Sequence, residues 1–423
     1  MDEHKADPSE LKPSLGLFDA VAVSVGAIIG GGIFVVTGIA AGLAGSAMVV
    51  SMLIAAAVSM FTASSFAELV AWQPKEGSIY EYSYQLISPF AGILTGWMWI
   101  LSNTFAGAAV SLGFAYYLTT LVPILPPNIV AAITCLFFTL VNYYGVRGSA
   151  LLNNVLVTAK LLILAFFVGF GTFFMKMDNY STFAPLSTNV LTAAFYVFFA
   201  FGGFARTAVI AEEVKDAKRN VPRAIFLALL ISTAVYVLVS IVAIGLVESA
   251  RLAASNSPLA EAISTTGNSN AVLIVSIGGV LATASVLLTS VLGVSRMAYA
   301  MAKRKHLPLA LSRLNPNHGT PTYSVMIIGL AMTLLALFTD VTRVVAISTF
   351  SMLFYYTLAN ISAFRLKVEK RLYPKIVAAL GAVTCLVFLA FALFTSTESW
   401  LIGTACLLAG ALYYAAKQKL TPP

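Results

Sequence analysis

Long apolar runs, separated by short polar breaks rich in glycine and proline, set the pattern of this chain. They lie at about 15 to 43, 46 to 71, 89 to 122, 127 to 145, 151 to 175, 189 to 211, 224 to 247, 271 to 302, 322 to 339, 342 to 364, 374 to 395 and 399 to 416. Each is close to the ~20 apolar residues a helix needs to cross a bilayer. The breaks carry turn chemistry, such as Pro123, Pro126 and Pro127, or Asn315-Pro316-Asn317. The pattern predicts an all-α integral membrane protein of about twelve transmembrane helices. Between the second and third runs, 73 to 89 mixes Pro74, Gly77, Ser78, Tyr80, Glu81 and Tyr82. That mixture suits a cytosolic interfacial helix as well as it suits a loop.

Composition agrees: 59% of the 423 residues are hydrophobic and 10% charged, against roughly 25% charged in soluble domains. A formal charge of +8 raises the question of nucleic acid, but the charges follow alternate loops. Lys75, Arg147, Lys215, Lys218, Arg219, Arg223, Lys303, Arg304, Lys305, Arg313, Arg365, Lys367, Lys370, Arg371, Lys375, Lys417 and Lys419 fall on one side. Only Lys176, Arg251 and Arg343 fall on the other. The positive-inside rule then places both ends in the cytosol, and the basic runs read as topology rather than as a nucleic-acid site. Residues 1 to 14 form a cytosolic N-terminal segment without signal-peptide character, and 417 to 423 a cytosolic tail. Cys135, Cys385 and Cys406 sit in apolar runs, and His4, His306 and His318 lie near the ends or in a loop. Neither set has metal-ligand or disulfide-framework spacing, so no metal and no cofactor is expected.

The first run contains Gly26-Ala27-Ile28-Ile29-Gly30-Gly31-Gly32-Ile33-Phe34. Each glycine weakens a helix by about 1 kcal/mol relative to alanine. Backbone groups opened at mid-depth must line a cavity and find partners there. The competing reading is that the glycines only let another helix approach closely. A corresponding break stands in the sixth run, at Phe198-Phe199-Ala200-Phe201-Gly202-Gly203-Phe204-Ala205-Arg206. Interrupted first and sixth spans fit two repeats of five helices with inverted topology, a pattern that points to a transport site.

On these residues the chain resembles the amino acid-polyamine-organocation (APC) superfamily, in its proton-coupled branch. The run Gly26 to Phe34 looks like its first-helix signature. The stretch Ala211-Glu212-Glu213-Val214-Lys215-Asp216-Ala217-Lys218-Arg219-Asn220-Val221-Pro222-Arg223 resembles its loop into the seventh helix. Ser295-Arg296, Tyr299 and Leu307-Pro308 match its eighth-helix pattern, and Glu68, Pro74, Gly77 and Tyr80 its second loop. Two positions depart, Gly31 where serine is frequent and Asp216-Ala217 for asparagine-proline, and neither removes a backbone donor. The resemblance implies a LeuT-like 5+5 inverted repeat with helices 1 and 6 broken. A transport core would span 15 to 364, followed by helices 11 and 12 at 374 to 416.

It further implies a substrate site that includes Gly30, with the N–H groups of Gly31 and Gly32 holding a substrate carboxylate, as a helix N-terminus does for anions. Carbonyls of Ile28, Phe199 and Gly202 would hold the ammonium, and the Phe199 ring would form a lid, unless it only packs. Lys160, inside the fifth span, costs a few kcal/mol unless it is paired or gives up its proton, or else it snorkels to the cytosolic face. By resemblance it replaces a sodium ion and bridges the first helix to Thr289 and Ser290 or to a nearby carbonyl. Sodium at those hydroxyls is the alternative, disfavoured by charge repulsion. Arg206 reads either as a gate, with Glu212 or Glu68, or as a fixed charge tying its helix to neighbours. Glu212 and Glu213 read as a helix-end pair. Ile100, Asn103 and Thr104, with Ser351 or Tyr355, would line a mostly apolar side-chain pocket, which favours a neutral amino acid.

The resulting expectation is a secondary active transporter in the plasma membrane, moving an amino acid by alternating access on a proton gradient. Exchange of amino acids or polyamines on the same scaffold is the runner-up. No nucleophile and base pair supports a membrane enzyme, and the paired broken helices fit an occluding site better than a channel. The last two spans offer a homodimer surface by resemblance.

Overall fold

The computed structural model describes residues 14–74, 78–123, 125–145, 150–181, 183–209, 211–315 and 319–420. The segment up to Pro13, with His4, and Lys75, Gly77, Arg147, Pro316, Asn317, His318 and residues 421–423 lie outside the described residues.

The first span is two helices, α1 (Leu17–Ile28) and α2 (Gly31–Ala44). The Asp19 carboxylate accepts from the Gly16 N–H at 3.0 Å and so fixes the start of α1. Gly45, at φ 58°, ends α2 and turns the chain into α3 (Met48–Trp72). Then come α4 (Ser78–Leu86), α5 (Pro89–Leu121), α6 (Pro127–Tyr143) and α7 (Ala150–Gly171). Proline at the first position of α5 and α6 starts each helix without loss of a needed donor.

The sixth span is α8 (Thr188–Phe201), a 3-10 turn over Gly202–Phe204 and the short α9 (Ala205–Val209). It leads to α10 (Ala217–Leu246). The connection after α10 holds α11 (Ser249–Ala254) and α12 (Pro258–Ser264), and α13 (Ser269–Lys303) follows, capped by Asn268. The chain closes with α14 (Thr322–Phe338), α15 (Val341–Arg365), α16 (Lys375–Thr395) and α17 (Thr397–Leu420).

Among the described residues, 9 helical stretches are long and apolar enough to cross a membrane, and α6 and α14 are shorter apolar helices. The first stretch, 56 residues long, is too long for one crossing and turns at Gly45. The chain is therefore an all-helical, multi-pass membrane protein of about twelve spans, as the apolar runs predict. The helices match those runs to within a few residues, except that α10 starts earlier, at Ala217, and the 73–89 segment contains the helix α4. The short helices α11 and α12 were not foreseen, because they are too short to leave an apolar period.

The broken helices form the centre. The most apolar window of the first stretch is 83% buried, against 28% in α16 and 17% in α17, which present Phe394, Leu401, Leu408 and Leu412 outward. Close approach holds the centre together. A β-carbon on Gly32 would lie 2.6 Å from Ala200 Cα, and one on Gly203 would collide with the backbone of Ala27 and Ile28. The packing role and the opening role of the glycines therefore coexist. At the N-terminal end of α1, Ser14 and Leu15 donate to the Glu213 carbonyl at 2.9 and 3.0 Å, and Lys215 donates to the Leu15 carbonyl at 2.9 Å. Farther along α1, Ser24 bonds Thr207 on α9.

We expect Gly203→Ala to lower the midpoint of thermal unfolding in detergent by several degrees or more, since backbone must shift to admit the methyl. Gly169→Ala in α7, where an added β-carbon meets nothing within 4 Å, should leave the midpoint unchanged or raise it slightly. Equal effects at the two sites would contradict this packing account.

Candidate functional site

The break in the first span follows from hydrogen-bond accounting. In a continuous helix the Gly26 carbonyl would accept from Gly30; here the Gly30 N–H turns to Ile28 at 2.9 Å. Helix α2 then restarts at Gly31 with no side-chain cap. Three carbonyls, of Gly26, Ala27 and Ile28, are thereby released from the α-helical pattern. Lys160 Nζ takes that of Gly26 at 3.0 Å, and the Tyr236 hydroxyl reaches that of Ile28 at 2.7 Å. For the Ala27 carbonyl no donor occurs among the described hydrogen bonds, and Ala27 faces a cavity.

That cavity, of about 50 Å³, lies between the two breaks. Ile28, Gly30, Gly31 and Gly32 form one wall; Phe199, Gly202, Gly203 and Arg206 form another. Ser102 and Asn103 of α5, Val286 of α13, and Ser348, Met352 and Tyr355 of α15 also line it. The N–H groups of Gly31 and Gly32 occupy the first turn of α2, where intrahelical acceptors are missing and the helix dipole is positive. This is an anion-binding geometry.

The second break is less open than the glycines suggested. Gly202 donates to the Phe199 carbonyl within a 3-10 turn, Tyr356 donates to the Gly202 carbonyl at 3.0 Å, and Tyr236 reaches Ala200 at 3.0 Å. The carbonyls of Ile28, Phe199 and Gly202, expected to face an ammonium, thus have donors in this arrangement. The 3-10 turn keeps the local bonds that full unwinding would release.

Two basic side chains, Lys160 and Arg206, reach α13, and of these Arg206 lines the cavity. Lys160 is 1% exposed and does not snorkel to the surface. Besides Gly26 it donates to Ser285 at 3.1 Å. The expected bridge from the first helix to α13 exists, but through Ser285 and not through Thr289 or Ser290. Those two hydroxyls accept from Arg206 instead, Nη1 to Thr289 at 2.9 Å and Nη2 to Ser290 at 2.8 Å. Ser285 lies one helical turn before Thr289, so the i, i+4 rule was the available signal for it. Glu68 is not Arg206's partner: it accepts from Leu372 and Tyr373 at 2.8 and 3.0 Å, with Arg371 at 3.9 Å.

The α5 residues divide. Asn103 lines the cavity while donating to the Trp99 carbonyl at 3.0 Å. Ile100 and Thr104 do not line it, and Thr104 bonds back to the Ile100 carbonyl at 2.7 Å. On α15, Tyr355 lines the cavity, whereas Ser351 is buried outside its lining. Sequence reasoning missed Ser102 and Ser348, which exchange reciprocal bonds at 2.9 and 2.8 Å and fasten α5 to α15. It also missed Tyr236, one of many aromatic residues in apolar runs and unmarked by any pattern.

Helix α4 is tied to the end of α13. Glu81 pairs with Arg304 at 2.6 Å, Arg304 lies over the Tyr80 ring, and the Tyr80 hydroxyl bonds His306 Nδ1. Burial pushes the Tyr80 phenol up to about 12. Burial, then the charges of Lys417 and Arg304, hold His306 below its ordinary value, so it is neutral at pH 7 and able to share this bond.

Comparison with known proteins gives a consistent set of likenesses. The model for the family described as amino acid permease matches residues 15–414. The chain is 35% identical over 417 residues to an uncharacterized transporter of Mycobacterium tuberculosis, covering 98% of this chain and 93% of that protein. It is 30% identical over 386 residues to a branched-chain amino acid permease of Bacillus subtilis, covering 86% and 83%. To mouse cationic amino acid transporter 4 it is 30% identical over 397 residues, covering 88% of this chain and 62% of that protein.

Tyr236→Phe leaves the Ile28 and Ala200 carbonyls without their shared donor in a buried setting. A cost of about 1–3 kcal/mol in stability is expected, read as a lower unfolding midpoint in detergent. An unshifted midpoint would mean that the hydroxyl does not hold the two breaks together.

Proposed function

From the premise that the chain belongs to the amino acid permease family, we propose that it carries a neutral amino acid across the plasma membrane by alternating access, coupled to protons. Its relatives are transporters, not enzymes. The observation that carries the reading is the restart of α2 at Gly31, with uncapped N–H groups facing a cavity between two interrupted helices. A substrate carboxylate on Gly31 and Gly32 would be held by hydrogen bonds and dipole together. Its ammonium would lie toward the Ala27 carbonyl, with those of Ile28 and Gly202 available if Tyr236 or Tyr356 yields and that of Phe199 if the 3-10 turn opens. Phe199, which lines the cavity, would cover the ligand.

Lys160 is the proton carrier in this reading. As an ammonium it donates to both Gly26 and Ser285 and ties α1 to α13; as a neutral amine it holds them less strongly. Loss of the proton would therefore favour rearrangement of the broken helix against α13, treating the five-helix sets as inverted repeats. The clustering of basic residues in alternate loops supports cytosolic termini. The lipid-facing α16 and α17 are the surface on which a homodimer would form. A neutral cargo is supported by a cavity whose lining, among the described residues, holds no Asp or Glu to match a basic side chain.

The test is uptake of labelled neutral amino acids into proteoliposomes under an inward proton gradient, for wild type and Lys160→Ala. Wild type should accumulate substrate against its gradient, and the variant should lose accumulation while retaining binding or exchange. Unchanged accumulation in Lys160→Ala would overturn its role. Rapid exchange without gradient-driven accumulation in wild type would identify an antiporter.

A further inference from the structure

We propose that Arg206 determines specificity at this site by excluding substrates with a cationic side chain. The inference rests on the amino acid transport reading and adds to it the residue that sets the cargo's charge.

Arg206 enters the cavity from α9, three residues after the close approach of Gly203 to Ala27 and Ile28. Its guanidinium is fixed by two donated bonds, to Thr289 and Ser290. Both acceptors are neutral hydroxyls. They orient the group but leave its charge uncompensated, and a guanidinium does not give up its proton to relieve repulsion. The cavity lining contains no carboxylate among the described residues; its side chains other than Arg206 are neutral, and the start of α2 is also positive in sign.

An amino acid with a neutral side chain brings one carboxylate and one ammonium into this field. Its carboxylate is attracted to α2, and no net charge is added. Lysine, arginine or a polyamine must place a further cation in a small, water-poor space beside a fixed like charge, where screening is weak. Arg206 cannot swing away without abandoning both of its acceptors on α13. Discrimination of this kind comes from repulsion of the wrong cargo as much as from attraction of the right one. The arrangement also explains why a permanent charge stands in a membrane-buried site, where a neutral donor such as glutamine could hold the same two hydroxyls.

The experiment is competition in proteoliposomes loaded with wild type, Arg206→Gln or Arg206→Lys. Uptake of labelled alanine, serine, leucine or valine, whichever is carried best, is challenged with unlabelled leucine, lysine, arginine or putrescine. In wild type, the cationic competitors should need at least hundredfold higher concentration than leucine for equal inhibition. In Arg206→Gln, whatever its absolute rate, that ratio should fall at least tenfold, while Arg206→Lys should keep it. Should Arg206→Gln prove too unstable to reconstitute, the shift in thermal unfolding of detergent-purified wild type and Arg206→Lys by lysine and by leucine supplies the readout; leucine alone should shift both. Inhibition of wild type by lysine as effectively as by leucine would overturn the role of Arg206 and leave the transport reading standing. So would an unchanged ratio in Arg206→Gln. Absence of uptake of every amino acid by wild type would overturn the transport reading and this inference with it.

Discussion

A backbone group buried in a membrane must find a partner inside the protein, and this requirement, applied to two interrupted helices, organises the molecule. The carbonyls released at Gly26 and Ile28 are each reached by a side chain from another helix, Lys160 from α7 for the first and Tyr236 from α10 for the second, and Tyr236 also reaches Ala200 beside the second break. Gly203 lets the breaks touch, so one tyrosine hydroxyl reaches both. What remains unpaired by the protein's described bonds, the start of α2 and the Ala27 carbonyl, faces the cavity.

The second organising element is α13. Its Ser285 receives Lys160 and, one turn later, its Thr289 and Ser290 receive Arg206. Each broken helix is therefore tied to the same helix by a cation, the first through its freed carbonyl and the second through its own arginine. Motion of α1 against α13 strains the Lys160 contacts, and motion of α9 strains those of Arg206. A cavity between two such ties sits where a change of charge on either side of α13 would be felt by both broken helices, the condition that the proposed proton coupling needs.

Much of this was legible in the sequence. Apolar runs predict the spans because crossing lipid demands length and apolarity, which are local properties. The glycine clusters predict where the first and sixth spans are interrupted, and Lys160 announces itself because a buried lysine must have a partner. Partner identity was not legible. Which hydroxyl on α13 meets Lys160 depends on the relative register of three helices, and a shift of one turn exchanges Ser285 for Thr289. The 3-10 character of Gly202–Phe204 was hidden for a related reason: two glycines permit several backbone paths, and the choice follows from packing against Met352, Ala27 and Ile28. Thr104 looked like a pocket residue from its position but bonds back to its own helix, a common fate of threonine in apolar helices.

The most direct measurement is the structure of the protein with a transported amino acid bound. The account requires the ligand's carboxylate within hydrogen-bonding distance, about 2.7–3.2 Å, of the Gly31 and Gly32 N–H groups. A ligand bound elsewhere, or held in the cavity with its carboxylate away from the start of α2, would contradict it.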